Sequence, residues 1–174
     1  MPVGEETLRG LVALARQVSS AANRQPLRYV LSCSGEWNAK IFETLAWAAY
    51  LKDWPGPGPG ERPAAYIVVL LDTSITGSAD IDVGIAAQTI LLSAVERGFG
   101  GCMFGAIKRE ELARRLALPE NLAIALVIAL GKPVEKVVLE DVPADGSIKY
   151  YRDADSVHHV PKRSVEELIH AVYT

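Results

Sequence analysis

Cysteine is scarce in this sequence: Cys33 and Cys102 are the only two in 174 residues, and they stand far apart. That excludes the dense disulfide framework of a small secreted domain and the paired spacing of a zinc site, so both thiols are expected to be reduced. An excess of positive charge is also missing. Eighteen Lys and Arg face 21 Asp and Glu, a formal charge of −3. The chain therefore has no global attraction to nucleic acid or anionic lipid, and any phosphate it holds must be met by a local basic cluster. No apolar run reaches the ~20 residues of a membrane helix. The opening MPVGEETLRG lacks the basic start and apolar core of a secretion signal. The expectation is a cytoplasmic protein with no nucleic-acid and no membrane partner.

Several catalytic signatures are absent as well. Gly98-Phe99-Gly100 is followed by Met103 where a dinucleotide-binding fingerprint needs its third glycine, and it comes after a helical pattern. There is no phosphate-binding G-x-x-x-x-G-K-[ST], no G-x-S-x-G elbow, and no Cys-His arrangement that reads as nucleophile and base. His158 and His159 are adjacent, and in an extended segment neighbours point to opposite sides. They read as an edge-strand pair, with no metal site expected.

What is present suits one compact domain over residues 1–174, with 49% of the residues hydrophobic. Leu8, Leu11, Val12 and Ala15 recur at helical spacing, which predicts a first helix from Glu5 to about Val18. Tyr29-Val30-Leu31 reads as a short strand, and Asn38 to Leu51 returns to helical spacing. Trp54-Pro55-Gly56-Pro57-Gly58-Pro59-Gly60 supports neither helix nor central strand and is a surface loop. The β-branched run Ala65 to Leu71 predicts a strand covered on both faces. Asp80 to Arg97 is the longest helical pattern, with acid at its start and Gly98 past its end. Gly101 to Phe104 and Ala123 to Leu130 read as strands, and Glu110 to Leu118 as a short helix. Ser164-Val165-Glu166-Glu167 is a capping box opening a last helix. Strands and helices mix without a strict alternation, which indicates α+β.

One constellation stands out. Ser20-Ala21-Ala22-Asn23-Arg24-Gln25-Pro26 holds three hydrogen-bonding side chains in a turn directly after a helix. Asn and Gln amides can donate or accept, which suits the carbonyls, ring nitrogens and N–H of a flavin's pyrimidine end. By residue type alone, a turn whose polar groups satisfy their own backbone is the favoured reading, since turns rich in Ser and Asn are common.

The segment resembles the nitroreductase-family motif Pro-Ser-x-x-Asn-x-Gln-Pro-aromatic, with Ser19 in place of the proline and Leu27 in place of the aromatic. Asp82 to Leu92, continuing through Glu96 to Gly105, is similar to that family's central helix and the loop that follows it. Val160-Pro161-Lys162-Arg163-Ser164 is similar to the basic segment before its C-terminal helix. The three occur in the family's order along nearly the whole chain. The resemblance implies a central, mostly antiparallel sheet flanked by helices, in an intertwined homodimer with FMN at the subunit interface. It implies that Ser20, Asn23 and Gln25 bind the flavin ring and that Phe104-Gly105 lies near its N5. Lys162 and Arg163 would meet the phosphate. Family members usually carry an Arg-Arg-Ser-x-Arg segment before the first helix. Here Met1 to Gly4 hold no arginine, so the phosphate is expected to rest on the C-terminal pair, with Arg24 or Arg28 as candidates to supplement it. The implied activity is ping-pong hydride transfer through flavin N5, from NADH or NADPH to a nitroaromatic, quinone or related small acceptor. The cofactor carries that chemistry, so no catalytic side chain is expected. The alternative is a flavin-binding or cofactor-free dimeric protein that keeps the fold without the reaction. Trp47, Tyr50 and Trp54 suit ordinary packing better than the lining of a substrate pocket.

Overall fold

The computed structural model describes residues 3–174, which divide into two compact units. One is made of residues 3–47 with Pro57–Pro133, the other of Ala48–Gly56 with Val134–Thr174.

The first unit is built on four antiparallel strands in the order β1-β2-β4-β3: β1 (Leu27–Ser32), β2 (Ala65–Asp72), β3 (Gly100–Phe104) and β4 (Leu122–Gly131). Strand β2 is central, as its unbroken apolar run demands, and Tyr66 through Val69 are fully buried. Alternate residues feed two cores. Ala65, Ile67 and Val69 face α1 (Glu5–Ala15) and α3 (Asp80–Glu96). Tyr66, Val68 and Leu70 face α2 (Gly35–Phe42) and α4 (Arg109–Arg115). Each buried aliphatic side chain contributes about 1.5–3 kcal/mol, and these two layers supply most of the unit's hydrophobic stabilisation.

Close packing fixes two details. Helix α3 lies against β3 at Gly101, where an added Cβ would sit 2.9 Å from both Leu91 Cδ2 and Leu130 Cδ2 and collide with the Ala129 carbonyl. The β2–β4 register slips between Val69 and Leu70, leaving Ala125 as the extra residue of a bulge. Arg109 satisfies the bulge by donating to the carbonyls of Ile124 (3.1 Å) and Ala125 (3.4 Å).

The helical expectation for Asn38 to Leu51 is corrected. Helix α2 starts earlier, at a Ser34 cap, and ends at Phe42. Beyond it the Thr44 hydroxyl donates back to the Ile41 carbonyl (2.7 Å), while Ala46 N–H donates to Ala106 O and Lys108 N–H to Thr44 O. These bonds to a distant segment of the same chain and a bridge between Leu45 and Ile107 replace the helical ladder. Helix α1 is also shorter than its apolar pattern, ending at Ala15, because the N–H of Gln17 bonds three residues back and tightens the last turn.

The second unit holds β5 (Val137–Asp141), β6 (Tyr151–Arg152) and β7 (His158–Lys162) in the order β5-β7-β6. Strand β5 is parallel to β7, and β6 is antiparallel to it. The edge-strand reading of His158 and His159 is therefore corrected, since β7 is the middle strand. Ser164 caps α5 (Val165–Leu168) with the expected reciprocal box, though the helix runs for one turn only. No helix among the described residues is long and apolar enough to cross a membrane.

Candidate functional site

The turn after α1 is shaped by three non-glycine residues in the left-handed region: Ala22, Asn23 and Gln25, with φ of 51°, 52° and 50°. That conformation costs roughly 1–2 kcal/mol per residue, asparagine tolerating it best. The offsetting contacts come from α3. The buried carboxylate of Asp82 accepts hydrogen bonds from the Ser20 hydroxyl and from the Ala21 N–H (3.1 Å). Ser20 Oγ in turn accepts from the Gln25 N–H at 2.9 Å. Hydrogen bonds to a charged group contribute about 1.5–3 kcal/mol each, so the two bonds to Asp82 are of the size needed to hold the turn. At its far end Asp72 N–H donates to the Pro26 carbonyl (2.9 Å). Arg28 bonds the carbonyls of Gln25 (3.1 Å) and Leu27 (2.9 Å) and pairs with Asp72 at 3.3 Å. Hydrogen bonds from Ser74 and then Asn121 hold the Asp72 carboxyl below its ordinary range, with Arg28 a lesser contributor.

Within this frame Asn23 and Gln25 are exposed. The Gln25 amide donates to the Asn23 carbonyl at 3.2 Å, and its oxygen is available to a ligand. Beside the turn opens a cavity of about 310 Å³, lined among others by Val12, Ala15, Arg16, Ser20, Gln25 and Asp82. That is the lower end of small-molecule pockets, and its lining mixes apolar residues with polar and charged ones.

Phe104 and Gly105 do not line this cavity. The Phe104 ring is buried on the other face of the sheet, edge-on to Trp47 at 4.6 Å. Gly105 is exposed, with open space where a side chain would be. The strand-like bonds of Ala46 and Lys108 brace the loop that begins there. Of the expected ring-binding residues, the structure thus brings Ser20 and Gln25 together at one cavity. It also adds Asp82, which the sequence marks only as an acidic helix start. The cue in the sequence is slight: an acid at a position that falls on the otherwise apolar face of the helix.

The arrangement can be set against known proteins. The nitroreductase family model matches residues 1–132, the span that contains the turn, α3 and the Phe104-Gly105 loop. The chain belongs to the nitroreductase family. A relative from Archaeoglobus fulgidus, provisionally named NADH dehydrogenase/NAD(P)H nitroreductase, is 27% identical over 142 residues, covering 77% of this chain and 76% of its own. The Bacillus subtilis protein provisionally named NAD(P)H nitroreductase YodC is 24% identical over 164 residues, covering 77% and 81%. A provisional nitroreductase of Exiguobacterium sibiricum, solved in complex with FMN, shares the fold at a TM-score of 0.63. It is 15% identical and covers 78% of this chain and 80% of that one.

In this member of the nitroreductase family, Lys162 and Arg163 belong to the second unit. Lys162 is exposed at the end of β7 and makes no ion pair among the described residues. Arg163 faces Glu167 at 3.7 Å, an exposed pair of little energetic weight. The aromatic residues pack as ordinary side chains: Trp47 on Phe42 and Phe104, Tyr50 on Tyr150, and Trp54 beneath the Arg152 guanidinium. Among the described residues no group of three or more His, Cys, Asp and Glu is arranged to hold a metal.

Proposed function

We propose that this chain is an FMN-dependent NAD(P)H oxidoreductase acting on small acceptors. The observation that carries the reading is the clamped turn, which keeps Ala22, Asn23 and Gln25 in the left-handed region and presents the Asn23 and Gln25 amides at its surface. When bound, FMN supplies the redox chemistry: ping-pong hydride transfer through its N5, with NADH or NADPH as donor and a nitroaromatic, quinone or related molecule as acceptor.

The residues fit that group. Asn23 and Gln25 carry both donors and acceptors for the pyrimidine edge of the ring. Ser20 has spent its hydroxyl proton on Asp82, and so faces a ligand only through a remaining lone pair. Open space at Gly105 lets a planar ring approach the backbone there, where a backbone N–H would favour charge developing at N5. Lys162 and Arg163 are the cations assigned to the phosphate, with a charge-assisted hydrogen bond from each. Arg28 does not supplement them in this reading, because its guanidinium is engaged by Asp72 and two turn carbonyls.

We further assign the working form to a homodimer of one nitroreductase-like domain per chain, with FMN at the subunit interface. Helix α3 supports this. Ile81, Ile85, Leu92 and Val95 are exposed on it and, with Gln88, follow the i, i+4, i+7, i+11, i+14 spacing of a helix-packing seam. A stripe of that kind suits a protein interface and supports this assignment.

The test is direct. Purified protein supplied with FMN should be yellow, bleach anaerobically with NADH or NADPH, and recover its colour when a nitroaromatic or quinone is added. A well-folded, colourless protein that takes up no added FMN would instead establish the cofactor-free alternative.

A further inference from the structure

The turn that presents Asn23 and Gln25 has two backbone bonds of its own, Asn23 N–H to Ser20 O (2.8 Å) and Arg24 N–H to Ala21 O (3.1 Å), but neither ties its two ends together. Only one side-chain contact inside it, Gln25 N–H to Ser20 Oγ, closes the loop end to end, and Ser20 Oγ is itself oriented by donation to Asp82. Asp82 comes from another element, 62 residues after Ser20 in the chain. It is 5% exposed, and both carboxylate oxygens are used, one by Ser20 and the other by Ala21 N–H. A carboxylate on the otherwise apolar buried face of a helix is costly to desolvate and persists only where hydrogen bonds compensate it. Here those bonds all go to the turn, so the hydrogen-bonding capacity of the carboxylate is spent on that segment. Its place in the first turn of α3 also suits a negative charge.

We propose that Asp82 is the positioning residue of the flavin-reading turn: by fixing Ser20 and Ala21 it sets the left-handed backbone of Ala22, Asn23 and Gln25, and so the direction of the two ring-reading amides. The inference rests on the FMN reading above. It assigns Asp82 no contact with the cofactor. The relay runs Asp82 to Ser20 to Gln25, and a carboxylate drawing on the Ser20 proton makes Ser20 Oγ a better acceptor for the Gln25 amide.

The relay makes the test specific. Asp82→Ala should weaken FMN binding ten- to a hundredfold, measured as quenching of flavin fluorescence, and should shift the absorption bands of the bound ring. Ser20→Ala should do the same, and the double variant should lose no more than the worse single one, since both cut one chain. Asp82→Asn retains one acceptor and should fall between. A core variant such as Ile41→Val, matched for loss in melting temperature, should bind FMN normally, which separates positioning from general destabilisation. Amide exchange at Gln25 should quicken in Asp82→Ala whether or not the protein takes FMN. A wild type that binds no FMN would overturn the flavin reading, and the exchange rate at Gln25 would still judge the clamp. Unchanged exchange, or FMN affinity within twofold of wild type in Asp82→Ala, would overturn this proposal.

Discussion

Tyr66 lies fully buried near the start of β2, on the face covered by α2 and α4, and its hydroxyl has no hydrogen-bond partner among the described residues. Burial pushes the phenol above its ordinary range, with Cys102 adding to the effect and Arg62 opposing it. An unsatisfied buried hydroxyl costs about 1–3 kcal/mol, whereas the ring contributes through packing. Tyr66→Phe should therefore raise stability by about 1 kcal/mol, read as an upward shift of the urea midpoint with unchanged slope. A loss of stability would mean that the hydroxyl has a partner in solution. Single residues of this kind were only half legible in the sequence. The apolar run around Tyr66 announced burial, because a fully covered strand has no alternative composition. Nothing announced which polar atom would be orphaned, or that the partner of Asp82 would be Ser20, because both depend on which residues of distant elements come to lie opposite.

At the scale of elements, the small sheet of the second unit is pinned through its middle strand. His159 sits between two carboxylates, Nδ1 at 3.0 Å from Glu140 and Nε2 at 3.1 Å from Asp153, with its ring stacked on Tyr151 at 4.8 Å. Both nitrogens can donate only in the imidazolium form. Asp153 first and Glu140 second raise the imidazole above its ordinary 6.5, and the same contact with His159 lowers Asp153 below its ordinary 3.8. The sign follows from linkage. The histidine's contribution is complete below its unfolded value and is lost as pH rises through the folded one. The aspartate's is complete above its unfolded value and is lost as pH falls through the folded one. The difference in melting temperature between wild type and His159→Gln should be greatest between the two ordinary values and fade in alkali. A difference that persists unchanged at about pH 10, well above the ordinary imidazole range, would show that packing on Tyr151, not charge, holds the strand. Elements with one strong pattern, such as β2, α3 and β4, were legible from periodicity. The small sheet was not, because β5, β6 and β7 are short and half-exposed, and pair through neighbours that periodicity does not see. The stretch after α2 kept a helical pattern of apolar residues, yet its backbone bonds went to Ala106 and Lys108.

At the scale of the whole molecule, the exposed seam of α3 makes assembly the property to measure. Sedimentation of the wild type should give a dimer, and Ile85→Glu with Leu92→Glu should give a monomer that binds FMN at least tenfold more weakly. A doubly substituted chain that still sediments as a dimer would move the interface elsewhere. The melting temperature of the wild type should also rise with protein concentration, as it does when association stabilises the fold. The expectation of a dimer comes from family resemblance. Composition does not supply it, since a helix with alanines on one side and large aliphatics on the other reads simply as buried.

The chain passes between its two units three times, after Trp47, after Gly56 and after Pro133. The second unit is therefore written in two pieces, and no single cut frees it. A gene ended at Pro133, close to where the family match stops, would still encode Ala48–Gly56. It would leave Tyr50 without Tyr150 and Trp54 without Arg152. Dissection of this protein has to remove that internal segment together with the tail, or keep both.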